Sequence, residues 1–163
     1  MRMVRNTSDQ SLFPIDSAFK RRWEWVYQPI DTAKETWFVN VGENYYSWTS
    51  FLNKVNDELL TDETAEDKHL GFYFCKATEK RLGTEPTLNV ITAETFVGKV
   101  LFYLWNDVFK VYGIPSSIGS SKDWPYRKFY LTSGEENTEK VARLMEQLKI
   151  NADATDEAQT ENE

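Results

Sequence analysis

Two groups of polar side chains near the start of the sequence have the types and order used in nucleotide hydrolysis. Asn6 and Asp9 lie in a polar Asn-Thr-Ser-Asp turn, and Arg21 and Arg22 end a short helix predicted after it. In an oligomeric nucleotide hydrolase, a turn asparagine can position the attacking water, and an arginine can reach the phosphate bound by a neighbouring subunit. Each pair also has a structural interpretation, because Asn and Asp cap turns and arginines favour the C-terminal end of a helix. Only the ordered combination favours the catalytic interpretation.

The groups that would complete such a site do not occur in the sequence. There is no G-x-x-x-x-G-K-[ST] loop, whose backbone amides and lysine hold a triphosphate. The single histidine, His69, lies in a polar segment and cannot form a Ser-His-Asp set or a histidine metal site. Asp107 follows an apolar run, as a metal-binding carboxylate does, but it lies inside a helical pattern. We therefore interpret His69 as a surface group and Asp107 as an ordinary helix residue.

Composition limits the class of protein. Apolar residues make up 40% and aromatic residues 15% of the 163 residues, which is enough for one packed domain. The formal charge is −7, but residues 151–163 contain five acids and no base, which leaves 21 acids and 19 bases elsewhere. A nearly neutral body argues against direct nucleic-acid binding. The sequence has a single cysteine, no apolar run of about 20 residues and no signal-peptide segment. We therefore expect a cytoplasmic protein without a membrane span.

Hydrophobic periodicity in the first half predicts strands followed by a helix. Alternating aromatic residues predict a strand over residues 23–28, and residues 37–46 have the pattern of a small hairpin or of two short strands. Ser47 is expected to cap a helix that extends to Leu59. Residues 61–70 are polar and acidic, and we expect them to form a surface loop.

The longest regular element is expected from Ala93 to Tyr112. Thr92 is placed to cap this helix, and Gly113 is placed to end it. Apolar residues at helical spacing form one stripe, which consists of Val97, Val100, Leu101, Leu104, Val108 and Val111. Aromatic residues widen the stripe, so we expect the helix to be covered on more than one side.

The sequence after this helix predicts a loop, a short strand, one more helix and a tail. The strand is expected from Tyr126 to Leu131. Residues 133–136, Ser-Gly-Glu-Glu, have the form of a capping box for the last helix. One face of that helix is apolar and consists of Val141, Leu144, Met145 and Leu148. From Asn151 onward no apolar residue is larger than alanine, and we expect this acidic tail to be disordered.

Residues 6–25, N-T-S-D-Q-S-L-F-P-I-D-S-A-F-K-R-R-W-E-W, resemble a region of one known protein family. They are similar to the sensor-1 to arginine-finger region of the McrB-like branch of AAA+ NTPases, the motor subunits of modification-dependent restriction systems. Residues 70–74 (L-G-F-Y-F) and 91–110 are similar to the lid region of bacterial proteins of that branch. Altogether the resemblance covers roughly residues 6–112.

The resemblance implies a role for each of four residues. Asn6 matches the sensor-1 position, which orients the hydrolytic water, and Asp9 matches the acidic member of the same element. Arg21 and Arg22 match the arginine-finger positions, which act on the nucleotide of the neighbouring subunit. An arginine there stabilises charge on the transferred phosphoryl group and accelerates hydrolysis about 10³-fold or more.

The resemblance also implies an α+β fold in three parts. Residues 1–31 would be the end of the AAA+ α/β core, residues 32–150 a mostly helical lid with a small β-hairpin, and residues 151–163 a disordered acidic tail. The family's phosphate loop and metal-binding acids lie before the matched motif, and the strand that leads to Asn6 is reduced to residues 2–5, Arg-Met-Val-Arg. We therefore expect no cofactor on this chain alone, and ATP or GTP with Mg²⁺ in the complete family assembly.

Two functions of different classes fit these features. In the first, the chain is the C-terminal part of a McrB-like NTPase, split or truncated from its phosphate-loop half, inactive alone and able to supply sensor and arginine-finger residues. Its partners would be AAA+ subunits that carry the phosphate loop, and an McrC-like nuclease subunit is a further candidate. In the second, the helix at 93–112 and the strand containing Trp23 and Trp25 form a docking surface of a stand-alone interaction module. A remnant without function is the third interpretation.

Overall fold

The computed structural model describes residues 35–60, 68–81 and 87–153, which form a sheet covered by helices. The strands of the sheet are β1 (Trp37–Val41), β2 (Asn44–Ser47), β3 (Thr78–Lys80), β4 (Leu88–Ile91) and β5 (Ala152–Asp153). They lie in the order β3-β4-β1-β2-β5. β1 and β4 run parallel, and the other neighbouring pairs are antiparallel. The described part of the chain is therefore α+β with a small mixed sheet, which confirms the predicted class.

The predicted hairpin is formed by β1 and β2. Val41 pairs with Asn44, so the loop consists only of Gly42 and Glu43. Gly42 has a φ of 63°, and a tight hairpin needs such a positive angle at its first loop position. Glycine adopts this angle without the steric cost of a Cβ atom. Alternate residues of β1 are buried, as the two-residue period of a strand requires.

Helix α1 follows β2 directly and consists of an α-helical part, Trp48–Asn53, and a π-helical part, Lys54–Leu59. Ser47 caps it as predicted, because its Oγ accepts a hydrogen bond from a backbone N–H of the first turn at 3.2 Å. At the other end the N–H of Leu60 donates to the carbonyl of Val55 at 2.9 Å. This bond spans five residues, which is the spacing of a π-helix.

Helix α2 runs from residue 93 to residue 112, as predicted, and contains π-helical parts at Phe96–Leu101 and Leu104–Val108. The Thr92 hydroxyl accepts a backbone N–H of the first turn at 3.2 Å. Gly113 ends the helix with a φ of 85°, a left-handed angle that favours glycine. Both predicted ends of the helix are therefore confirmed.

Buried residues of α1 and α2 recur in adjacent pairs at every fourth position. In α2 the buried pairs are Phe96-Val97, Val100-Leu101, Leu104-Trp105 and Val108-Phe109. In α1 and at its C-terminal end they are Phe51-Leu52, Val55-Asn56 and Leu59-Leu60. In an ideal α-helix such a repeat drifts by about 40° each time, because every residue turns the chain by about 100°. The wider π-helical turns reduce this drift, and all the pairs therefore stay on the core side.

This repeat corrects one member of the predicted stripe. Val111 is 71% exposed, although α-helical spacing placed it among the buried residues. It lies two positions after the last buried pair, Val108-Phe109, and therefore outside the four-residue repeat. The prediction was wrong because it assumed 3.6 residues per turn throughout the helix.

The inner part of α2 is covered by α1 and by the 3₁₀ turn Phe72–Phe74. Phe96 packs edge-on against Phe51 of α1, with ring centroids 4.9 Å apart. Tyr103 lies 5.0 Å from the ring of Phe74 and donates its hydroxyl to a backbone carbonyl at 3.0 Å. The expected cover on more than one side is confirmed. Neither α2 nor any other helix in the described ranges is long and apolar enough to cross a membrane.

The outer part of α2 is covered by a second 3₁₀ turn, Tyr126–Phe129, where the sequence predicted a strand. Phe129 of this turn packs edge-on against Trp105 at 4.9 Å. The indole N–H of Trp105 donates to the carbonyl of Trp124 at 2.6 Å. The ring of Phe129 against Trp105 and the hydrogen bond to Trp124 thus favour a turn over the extended backbone that the residue types indicated.

Asn56 attaches the segment 68–75 to α1 through its side-chain amide. Its Nδ2 donates to the carbonyl of Leu70 and its Oδ1 accepts the N–H of the same residue, both at 2.8 Å. The indole N–H of Trp48 donates to the carbonyl of Phe72 at 2.9 Å. Leu70, predicted at the end of a surface loop, is fully buried instead because these bonds hold its backbone in the core.

Helix α3 (Thr138–Gln147) begins later than predicted. Its cap is Asn137, whose side-chain oxygen accepts a backbone N–H of the first turn at 3.1 Å. The predicted capping box is wrong because Ser133 lies in a separate tight turn. That turn is closed by the N–H of Leu131, which donates to the carbonyl of Glu135 at 2.8 Å.

A Schellman motif ends α3 and directs the chain into β5. The N–H of Lys149 donates to Glu146 and that of Ile150 donates to Met145, both at 2.9 Å. Ala152–Asp153 then pair with β2, although the sequence placed them in a disordered tail. Strand pairing uses backbone groups, which the polarity of these side chains does not reveal. The predicted domain boundaries stay predictions.

Candidate functional site

The residues that the sequence indicates as a catalytic set lie outside the described residues. They are Asn6, Asp9, Arg21 and Arg22. Their roles stay predictions.

Side chains that often do chemistry are inactive or isolated in the described structure. Cys75 is 2% exposed, and burial raises the pKa of its thiol to about 11, although Lys99 acts in the opposite direction. A protonated thiol is a poor nucleophile at neutral pH. His69 is half-buried, with Nε2 3.3 Å from the carbonyl of Leu60, and Asp107 is exposed on α2. Among the described residues, no group of three or more His, Cys, Asp or Glu is placed to hold a metal ion.

Two adjoining clefts lie along α1. The first has a volume of about 440 Å³ and lies between α1 and residues 148–151 that follow α3. The second has a volume of about 390 Å³ and lies between the end of α1 and residues 108–117. Glu58 lines both clefts.

The first cleft is polar and carries charges of both signs. Lys54 and Glu58 form an ion pair, and Asp57 and Lys149 complete the charged lining. Two positive and two negative side chains leave no excess positive charge for a triphosphate. We therefore assign no nucleotide to this cleft.

The second cleft has both apolar and polar residues in its lining, and a hydrogen bond fixes one of its walls. Its apolar lining consists of Leu59, Leu60, Val108, Phe109, Ile114 and Pro115. The side-chain amide of Gln147 donates to the carbonyl of Ser117 at 3.0 Å and so joins α3 to the loop after α2. This bond fixes the wall of the cleft formed by that loop.

Aromatic hydroxyls form a cluster on the outer face of α2. The Tyr126 hydroxyl donates to the carbonyl of Val97 at 3.1 Å and lies 3.1 Å from the hydroxyl of Tyr130. Burial, and then the hydrogen bond with Tyr130, raise the pKa of Tyr126. Phe102, which is 47% exposed, packs edge-on against Tyr126 at 5.6 Å. A hydroxyl that stays protonated can donate a hydrogen bond but does not act as a base.

Lys140 connects α3 to the loop before the second 3₁₀ turn. Its ammonium lies 3.4 Å from the ring centroid of Trp124 and donates to the carbonyl of Asp123 at 3.1 Å. Partial burial, and then the charges of Arg143 and Lys128, lower its pKa. The cation–π contact and the hydrogen bond give this lysine a structural role.

A side-chain network lies where the chain enters β1. The carboxylate of Glu35 accepts the indole N–H of Trp37 at 2.7 Å and the hydroxyl of Tyr73 at 3.3 Å. The rings of Trp37 and Tyr73 pack edge-on at 5.5 Å, and Phe72 lies 4.6 Å from Trp37. Sequence reasoning missed Glu35 and Tyr73, because the two residues are 38 positions apart and belong to no motif.

No protein-family model matches the chain, and no solved structure matches it. A similar curated protein is component YdiS of the type II restriction enzyme BsuMI of Bacillus subtilis (strain 168), which is 33% identical over 112 residues. The similarity covers 64% of the chain and 29% of that protein. The chain thus spans less than a third of its relative's length, and it is similar to one part of a restriction-enzyme component.

Proposed function

We propose that this chain is the C-terminal part of a McrB-like AAA+ NTPase of a restriction system. The similarity to YdiS carries the proposal, because that protein is named as a component of a restriction enzyme. The order of the sensor-1 and arginine-finger motifs in residues 6–25 supports it independently. The nucleotide would be ATP or GTP, held by another part of the assembly.

In this proposal the chain acts on a nucleotide that it does not itself bind. Asn6 orients the attacking water, and Asp9 supports the turn that holds Asn6. Arg21 and Arg22 approach the terminal phosphate bound by a neighbouring subunit and stabilise the charge that develops there. Mg²⁺ bound with the nucleotide neutralises charge on the phosphate oxygens.

Two features of the described residues support a helper role over a complete active site. The charged lining of the first cleft along α1 is balanced in sign, which does not suit a triphosphate. The one cysteine is buried and holds its proton firmly.

The proposal is tested by adding the full chain to the phosphate-loop subunit of its restriction system and measuring ATP and GTP hydrolysis. We expect the chain to increase turnover, and we expect Arg21→Ala and Arg22→Ala to remove most of the increase. Arg127→Ala is the matched control, because Arg127 is an exposed arginine far along the chain. No increase in turnover, or an increase that both arginine variants retain, would contradict the proposal.

An McrC-like nuclease subunit is the second proposed partner. Because the chain is similar to part of a multi-component restriction enzyme, we expect the assembly of chain and phosphate-loop subunit to retain such a nuclease on a size-exclusion column. Separate elution of the nuclease in the presence of ATP and of GTP would contradict this partnership.

A further inference from the structure

The exposed side of α2 carries a row of five aromatic rings. Phe102 lies at its centre, is 47% exposed and packs edge-on against Tyr126 at 5.6 Å. Tyr126 in turn lies 5.7 Å from the ring of Tyr130. On the other side Tyr103, the next residue of the helix, lies 5.0 Å from the ring of Phe74. This aromatic row therefore reaches from the first 3₁₀ turn to the second, and its four outer rings are half-buried.

Hydrogen bonds to the backbone hold the aromatic row in place. The Tyr103 hydroxyl donates to the carbonyl of Lys68 at 3.0 Å. The Tyr126 hydroxyl donates to the carbonyl of Val97 at 3.1 Å. Rings that are already fixed lose little conformational entropy when a ligand packs on them. The row is thus a preorganised surface for flat aromatic groups.

Positive charge gathers at one end of the aromatic row. Lys99 is exposed on α2, and its ammonium lies 5.9 Å from the ring centroid of Phe74. Residues 68–76, which contain the first 3₁₀ turn, include Lys68 and Lys76 and no acid. The described ranges as a whole contain thirteen bases and thirteen acids. The three lysines are therefore a local excess of positive charge, which the nearly neutral total does not reveal.

We propose that the aromatic row and these three lysines bind single-stranded nucleic acid. Bases of any type stack on aromatic side chains, and lysines attract the phosphates. A single strand has bases along one edge and phosphates along the other, which matches a row of rings with lysines at one end. A duplex keeps its bases stacked inside, so they do not reach the rings. The surface uses none of the four predicted catalytic residues and is independent of the proposed function.

The acidic tail of the same chain is a poorer match for this surface. Residues 154–163 contain four acids and no base, so they would attract the lysines. They contain no apolar residue larger than alanine, and they therefore offer nothing that packs on five aromatic rings. A nucleic-acid strand supplies both the negative charge and the flat groups.

The inference is tested by fluorescence anisotropy of the full chain with labelled probes of about 20 nucleotides, which is longer than a typical binding site. The probes are oligothymidylate, oligouridylate and a DNA duplex of the same length. We expect at least one single strand to bind about tenfold or more tightly than the duplex, and the tighter of the two shows whether DNA or RNA is the ligand. Neutralisation of two to three phosphates predicts that log Kd rises with log salt concentration with a slope of about 1.4–2.1.

Variants separate base stacking from charge. Phe102→Ala should weaken binding about fivefold or more, and Phe102→Leu should weaken it similarly because it keeps apolar volume but removes the ring. Lys99→Ala should lower the salt slope by about 0.7. Tyr112→Ala and Lys149→Ala are the matched controls and should leave Kd unchanged. Tyr112 is 43% exposed at the C-terminal end of α2, and Lys149 lines the first cleft.

Three outcomes would overturn the inference. The first is that neither single strand binds more tightly than the duplex. The second is wild-type affinity of Phe102→Leu, which stays folded because it preserves apolar packing at this half-exposed position. The third is binding of a labelled peptide of residues 154–163 without binding of either strand, which would assign the surface to acidic peptides.

Discussion

The side-chain amide of Asn56 holds the segment 68–75 in the core, and its removal should be costly. Asn56→Ala removes two hydrogen bonds of 2.8 Å and leaves the N–H and the carbonyl of Leu70 without these partners. Leu70 is fully buried, so water does not replace the amide, and each unsatisfied group costs about 1–3 kcal/mol. The better helix propensity of alanine offsets about 0.5 kcal/mol. We expect the free energy of unfolding to fall by about 1.5–5.5 kcal/mol, a large part of the typical 5–15 kcal/mol.

Urea unfolding of the full chain, followed by tryptophan fluorescence, measures this change. Asn53→Ala is the matched control, because Asn53 is exposed on the same helix, and its unfolding free energy should change by no more than about 0.5 kcal/mol. A change below about 0.5 kcal/mol for Asn56→Ala, or equal losses for both variants, would show that the two buried hydrogen bonds do not stabilise the fold.

Three further predictions concern stability. Val108→Ala should lower the free energy of unfolding by about 2 kcal/mol, whereas Val111→Ala should leave it nearly unchanged. The reason is that Val108 is fully buried and Val111 is 71% exposed. Equal losses for the two variants in urea unfolding would contradict the four-residue repeat. Lys149→Gly should raise the free energy of unfolding by about 1 kcal/mol, because Lys149 has a φ of 58° that glycine adopts without strain. Lys149→Ala should not raise the free energy of unfolding in the same urea measurement. Because burial raises the pKa of Cys75 from 9.0 to about 11, the folded state holds the thiol proton more tightly and stability should fall as the pH rises through this window. Cys75→Ala should make that fall smaller in urea unfolding at successive pH values, and an unchanged slope would show that Cys75 does not contribute.

The ends of α1 and α2 could be predicted because short-range signals define them. Ser47 and Thr92 have hydroxyls that bond to the first turn, and Gly113 provides the left-handed angle that ends α2. The π-helical parts could not be predicted, because they depend on how the paired buried residues meet the sheet and the neighbouring turns. The incorrect placement of Val111 follows directly from this.

Long-range hydrogen bonds were the other feature that the sequence did not reveal. Asn56 bonds to a residue 14 positions away, and Glu35 to one 38 positions away, and neither pair has a local signature. The strand at Ala152–Asp153 likewise depends on a backbone edge presented by β2. By contrast, Asn6 and the two arginines were found because their order along the chain matches a family motif.

Nucleotide hydrolysis by the phosphate-loop subunit should be compared with the wild-type chain and with the double variant Arg21→Ala, Arg22→Ala of the full chain. If the arginines act on a neighbour's nucleotide, the wild-type chain accelerates hydrolysis of ATP or GTP, and the double variant loses about 10³-fold or more of that acceleration. Equal acceleration by wild-type chain and double variant, or none by either, would show that these arginines do not act on a neighbour's nucleotide.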